Sequence, residues 1–183
     1  MIWVGVAFEA GLVGVAVALG WLFGRPAFED LRLDWGDAGV GAAAAIPLLF
    51  LMMWLWGRPW APIARIRREL EDTLLPLFSG APLLALVLVS AAAGVGEETL
   101  FRGVIQPAAA AWFGLPAGVL AASALFGLAH LVTRAYALLA GLIGLYLGLL
   151  LLATENLLAP VVAHALYDLV ALRFLLRLRR PRV

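Results

Sequence analysis

Apolar residues run along this chain in seven long blocks separated by short polar or Gly/Pro-containing breaks. A transmembrane helix needs about 20 such residues at about 1.5 Å each. The blocks predict spans at Ile2–Phe23, Val40–Trp56, Leu77–Val95, Thr99–Phe113, Ala117–Val132, Ala135–Ala153 and Leu158–Leu176. Gly24-Arg25-Pro26 and Gly57-Arg58-Pro59 each close a helix with breaker residues. Gly114-Leu115-Pro116 predicts a tight hairpin, and Trp54, Trp56 and Trp60 fall where an interfacial aromatic belt would lie.

One segment breaks the pattern. In Ala61–Leu75, Ile63, Ile66, Leu70 and Leu74 recur at helical spacing, while Arg65, Arg67, Arg68, Glu69 and Asp72 occupy other positions. This predicts an amphipathic helix on the membrane surface, or a charged connecting loop that happens to be helical. The expected fold is therefore all-α: a single integral membrane domain over residues 1–183, a polytopic transmembrane helix bundle of six to seven spans plus an interfacial amphipathic helix.

Composition agrees. Apolar residues are 64% of the 183, against roughly 45–50% in a soluble domain, and charged residues only 14%. The mean hydropathy is +1.01. Ile2–Phe23 follows no positive n-region and exceeds the about 7–15 apolar residues of a cleavable signal, so it reads as a retained span. With no cysteine, thiolate metal sites and Cys nucleophiles are excluded. All thirteen basic residues are Arg; with the Ala, Gly and Leu richness this suggests a GC-rich bacterial genome and a bacterial cytoplasmic membrane. No basic face exists outside the loops, so no nucleic acid is expected as a partner; the lipid bilayer is.

Arg placement sets orientation. The clusters Arg58–Arg68 and Arg173–Arg182 both ask to be cytoplasmic, yet five predicted spans lie between them, an odd number. Either one segment does not cross, the polar-headed Thr99–Phe113 being the first choice, or one cluster faces outward.

Ionisable groups at membrane depth are costly and mark functional candidates. Three clusters qualify. In Glu97-Glu98-Thr99-Leu100-Phe101-Arg102, Glu98 and Arg102 are four apart and able to pair on one helix face, which leaves Glu97 freer to act. Crowded carboxylates in a poorly hydrated site are better proton acceptors near neutral pH. A plainer reading is a helix start at an interface. In Phe126-Gly127-Leu128-Ala129-His130, His130 ends an apolar block and Phe126 lies one turn before it, able to pack on the ring. In His164-Ala165-Leu166-Tyr167-Asp168, a His and an Asp share one face inside the last span, where the Asp can fix the imidazole tautomer. The chain has two histidines, and both fall in these clusters. If the clusters converge, a water between Glu97 and the histidines becomes a hydrolytic nucleophile. Alternatively Glu97, His130, His164 and Asp168 hold Zn²⁺ with an open position for water.

These three motifs, in this order, resemble the CPBP family of intramembrane proteases, which comprises type II CAAX prenyl endopeptidases and bacterial bacteriocin-processing or immunity (Abi-like) proteins. The resemblance covers Glu97 to Asp168, the motif-bearing core; the flanking blocks match only as generic apolar helices. It implies a peptidase acting on membrane-anchored or membrane-inserted peptides. Glu97 would be the general base, supported by Glu98 and Arg102. His130 would hold the water or a metal, and Phe126 would pack the site. His164 and residue 168 would stabilise the oxyanion, or ligate a metal. The family often has Asn where this chain has Asp168, and an ionised Asp has no proton to donate. An orienting or metal-ligand role therefore suits Asp168 better. Other readings of the same residues are a non-catalytic immunity or scaffold protein, a bis-His haem carrier using His130 and His164, and a proton-coupled transporter. Glu9, inside the first span, reads as tolerated near a helix end or facing the bundle, and Arg134 as an interfacial anchor.

Overall fold

The computed structural model describes residues 2–179, and among these the regular structure is entirely helical. The helices are α1 (Ile2–Leu22), α2 (Trp35–Trp56), α3 (Ala61–Glu69), α4 (Leu83–Glu98), α5 (Gln106–Phe113), α6 (Leu115–Ala129), α7 (Arg134–Thr154) and α8 (Leu158–Arg179). Five continuous helices are long and apolar enough to cross a membrane: Trp3–Leu22, Trp35–Trp56, Leu83–Phe113, Arg134–Thr154 and Leu158–Leu178; α6 is a shorter apolar sixth.

The breaks fall where breaker chemistry puts them. α1 and α2 stop just before Gly24-Arg25-Pro26 and Gly57-Arg58-Pro59. Gly114, at φ +85°, turns the chain between α5 and α6, a left-handed conformation that glycine adopts without penalty. Asp34 and Thr133 cap α2 and α7 through their side-chain oxygens, accepting from the backbone N–H of Asp37 and Tyr136.

One expected boundary is absent. Leu77–Val95 and Thr99–Phe113 are not two spans: α4 runs through a π-helical stretch, Thr99–Ile105, straight into α5. The interface reading of Glu97 and Glu98 fails with it, because both lie mid-helix and buried. The helix continues across these charges because other helices neutralise them, as described below. The π stretch ends with the Gln106 N–H bonded to the Phe101 carbonyl, five residues back, and Pro107 then has no N–H to offer Gly103.

Merging these segments leaves four, not five, between the two Arg clusters: α4–α5, α6, α7 and α8. Both clusters then belong to one end of the bundle, and the packing agrees. Ile63, Ile66 and Leu70 form a buried cluster with Leu175, flanked by Ala135, Tyr136 and Phe174. Thus the helix after α2 lies against the start of α7 and the end of α8. Arg65 and Arg68 point outward there, as do Arg173 and Arg177; Arg180 and Arg182 lie outside the described residues. The amphipathic reading of Ala61–Leu75 holds, with a difference: the apolar face rests on the bundle rather than on lipid. Trp54 and Trp60 meet edge to face at this end, with the Arg58 guanidinium 4.3 Å from the Trp54 ring centre.

The opposite end is tied by Asn156. Its amide donates to the Arg32 carbonyl and to Asp37, and accepts from the Arg32 and Leu158 backbone N–H groups. These bonds lock the α1–α2 loop onto the α7–α8 turn and so fix where α8 starts. α8 then packs against α2, α4 and α7, while α1 packs on α4.

Candidate active site

The three sequence motifs converge. α4 and the π stretch supply Glu97, Glu98 and Arg102, the end of α6 supplies Phe126 and His130, and α8 supplies His164 and Asp168. Glu98 and Arg102 have no exposed side-chain surface and are joined at 3.0 Å. The same Glu98 oxygen lies 2.7 Å from His164 Nδ1. Because Glu98 already accepts from Arg102, Nδ1 is the donor to it. Arg102 also donates to the Gly144 carbonyl at 2.8 Å. A Cβ on Gly144 would sit 3.0 Å from the guanidinium and 3.3 Å from the Phe126 ring, so glycine leaves the space that Arg102 fills. One turn on, Gln106 repeats the arrangement with the Gly148 carbonyl at 3.2 Å. Burying a charge this deeply requires such pairing.

The expected Glu98–Arg102 pair is seen, but Glu98 does more than pair with Arg102. It holds His164, the task expected of Asp168, whose Oδ2 lies 3.6 Å from Nε2, beyond hydrogen-bond reach. His164 therefore has a carboxylate at each ring nitrogen.

Glu97 is the unspent carboxylate. It is 9% exposed, and its Oε2 has no hydrogen-bond partner. That oxygen faces His130 Nε2 at 3.6 Å. His130 Nδ1 is 2.8 Å from the Phe126 carbonyl, which can only accept, so Nδ1 carries a proton; in the neutral ring, Nε2 then turns a lone pair toward Glu97. Phe126 organises the centre: His130 lies over its ring at 4.5 Å, tilted by 30°, and His164 meets its edge at 5.9 Å. The Arg102 guanidinium lies 4.5 Å from the same ring centre.

Glu97, His130, His164 and Asp168 line a cavity of about 560 Å³ that continues between α2, α3, α7 and α8. Its far walls are apolar, with Leu48, Met52, Ile66, Ile143 and Leu172 among them. One polar end and a long apolar remainder suit a substrate that has a reacting polar group and a lipid-like or aliphatic body. Five polar residues of this wall were not singled out as candidates from the sequence: Glu9, Ser90, Tyr136, Tyr146 and Tyr167. Glu9 carried a signal, a lone carboxylate in an apolar span. Ser90 and the tyrosines carried none that separates them from ordinary helix residues. Arg134 is exposed at the start of α7, away from the cavity lining.

Among the described residues no group of three His, Asp or Glu side chains converges closely enough to hold a metal ion. Glu97, His130, His164 and Asp168 are not gathered into such a group, although His130 and His164 each tie Nδ1 to an acceptor, as metal-ligating imidazoles also do. Bis-His haem ligation finds no support either, because Phe126 packs against both imidazoles.

No curated protein and no solved structure matches the chain. The family model described as "Type II CAAX prenyl endopeptidase Rce1-like" matches residues 79–170, just over half of the chain and the whole of the three-motif site. The convergent site and this match together place the chain in the Rce1-like family of type II CAAX prenyl endopeptidases.

Proposed function

We propose that this protein is an intramembrane endopeptidase that hydrolyses a peptide bond of a membrane-associated substrate with a water activated by Glu97. The observation that carries the reading is the pair of facing acceptors, Glu97 Oε2 and His130 Nε2, 3.6 Å apart with no protein donor on the Glu97 oxygen. Two acceptors at that separation suit one water donating a hydrogen to each, which leaves its lone pairs free to attack.

Glu97 takes a proton as the water oxygen adds to the carbonyl carbon. His164, held at Nδ1 by Glu98, turns Nε2 to the cavity, where a proton on that nitrogen stabilises the oxyanion. Asp168, 3.6 Å from Nε2, lies on the cavity side of the ring and is not itself the oxyanion donor. The tetrahedral intermediate then collapses: the C–N bond breaks, Glu97 returns its proton to the leaving nitrogen, and a carboxylic acid and an amine result, which exchange the acid proton to leave a carboxylate and an ammonium. Arg102 touches no reacting atom; it fixes Glu98 and thereby His164. The apolar length of the cavity supports a substrate with a lipid or aliphatic segment beside the scissile bond. The Arg-bearing end, by the positive-inside rule, faces the cytoplasm. The composition supports a bacterial cytoplasmic membrane.

The test is turnover of a membrane-tethered peptide library by the purified protein in nanodiscs, comparing wild type with Glu97→Ala and His164→Ala, with and without a chelator. Cleavage by wild type alone, insensitive to chelator, is expected. Cleavage abolished by chelator and restored by Zn²⁺ would replace the metal-free chemistry. A folded wild type that cleaves nothing would sink the enzyme reading and favour a non-catalytic immunity or scaffold role.

A further inference from the structure

Glu9 is a carboxylate in the middle of the first long apolar helix, where an ionisable group is expensive unless the bundle gives it a purpose. It lies on the inward face of α1, in register with Gly5, Leu12, Ala16 and Gly20, and lines the same cavity as Glu97, His164 and Asp168. Its position is enforced by the backbone. α1 and α4 meet where the Glu9 carbonyl closes on Gly96, so tightly that a Cβ on Gly96 would collide with it. Gly96 directly precedes Glu97, so this one contact sets Glu9 beside the reacting centre. Glu9 Oε2 is nevertheless buried without any hydrogen-bond partner among the described residues. A buried acceptor left open asks for a donor from outside.

The cavity wall says which donor. Among the described residues it presents three carboxylates, Glu9, Glu97 and Asp168, and no arginine, because Arg102 is sealed behind Glu98. A peptide backbone offers one kind of donor, its N–H. Hydrolysis converts the N–H of the scissile bond into an amine that becomes an ammonium, while the other new end becomes a carboxylate that this wall repels. On the protease reading above, we infer that Glu9 is a substrate-positioning residue that accepts the N–H on the amine side of the scissile bond and holds the released amine. Its bond to the product is charge-assisted, so the interaction strengthens as the C–N bond breaks.

Binding separates this role from a structural one. A C-a-a-X substrate cut after the Cys releases an aliphatic tripeptide. The probe is Val-Val-Met with a free α-amine, compared with its N-acetyl form, titrated onto full-length protein in nanodiscs. Wild type should prefer the free amine by roughly 10- to 100-fold, the worth of one charge-assisted hydrogen bond. Glu9→Gln should lose that preference while binding the acetylated peptide as wild type does. Glu9→Asp, which keeps the charge on a shorter arm, should keep part of it. In turnover, Glu9→Gln should lower kcat/KM by a similar factor. An amine preference that survives Glu9→Gln overturns the inference, as does a wild type that cleaves yet prefers neither peptide. A wild type that neither cleaves nor binds them removes the protease reading, and the inference with it.

Discussion

Glu98 Oε1 lies 2.7 Å from His164 Nδ1 and 3.0 Å from Arg102, so one buried oxygen joins the π-helical stretch to α8. That oxygen couples stability to chemistry. Glu98→Gln leaves Arg102 as a buried charge without its counterion, and removing one partner of such a pair costs about 3–5 kcal/mol. Thermal unfolding in detergent should show a loss of that order. The double variant Glu98→Leu/Arg102→Met should lose less than the sum of the single changes, because no lone charge remains. A strictly additive double variant would show that the pair is not coupled.

Glu97 should behave in the opposite way. With no partner on Oε2, Glu97→Gln removes nothing that holds the fold. Its melting temperature should stay close to wild type while kcat falls by about 10²–10⁴-fold, the usual worth of a general base. A large stability loss with residual activity would assign Glu97 to the scaffold.

Gly144 tests the seat of Arg102. Gly144→Ala puts a methyl 3.0 Å from the guanidinium in a site with no slack, an overpacking cost of typically 1–3 kcal/mol. Activity per folded molecule should fall as well, since Arg102 positions Glu98 and His164 in turn. An unshifted melting curve would show that Arg102 readily finds another seat.

Asn156 separates scaffold from site. It makes its four bonds far from the cavity, and Asn156→Ala strands several partly buried partners, so a destabilisation of at least about 2 kcal/mol is expected. The surviving folded molecules should cleave at the wild-type rate. A selective loss of kcat without loss of stability would contradict this.

The topology is testable cleanly because the chain has no cysteine. Single cysteines at Arg65 and Arg177 should be labelled from the same side of oriented vesicles, and a cysteine at Asp34 from the other. Labelling of Arg65 and Arg177 positions from opposite sides would overturn the four-segment connection between them.

The helix bundle, its breaks at Gly24, Gly57 and Gly114, and the candidates Glu97, Glu98, Arg102, His130, His164 and Asp168 were legible in the sequence alone. Each rests on a local property: a run of apolar residues, a residue with unusual φ, or a charge that lipid does not tolerate. The tertiary structure decided what local reasoning cannot. Glu97 and Glu98 look like the start of a helix because charges usually mark an interface; only the arrival of His164 and the Gly144 carbonyl from other helices lets α4 carry them inward. That single fact merged two expected spans and brought both Arg clusters to one end. Likewise Glu98, not Asp168, orients His164, because contacts between α4 and α8 leave no trace in the spacing along either helix. Glu9 came to the site through the close approach of α1 to Gly96, a contact across 87 residues of chain that only packing creates.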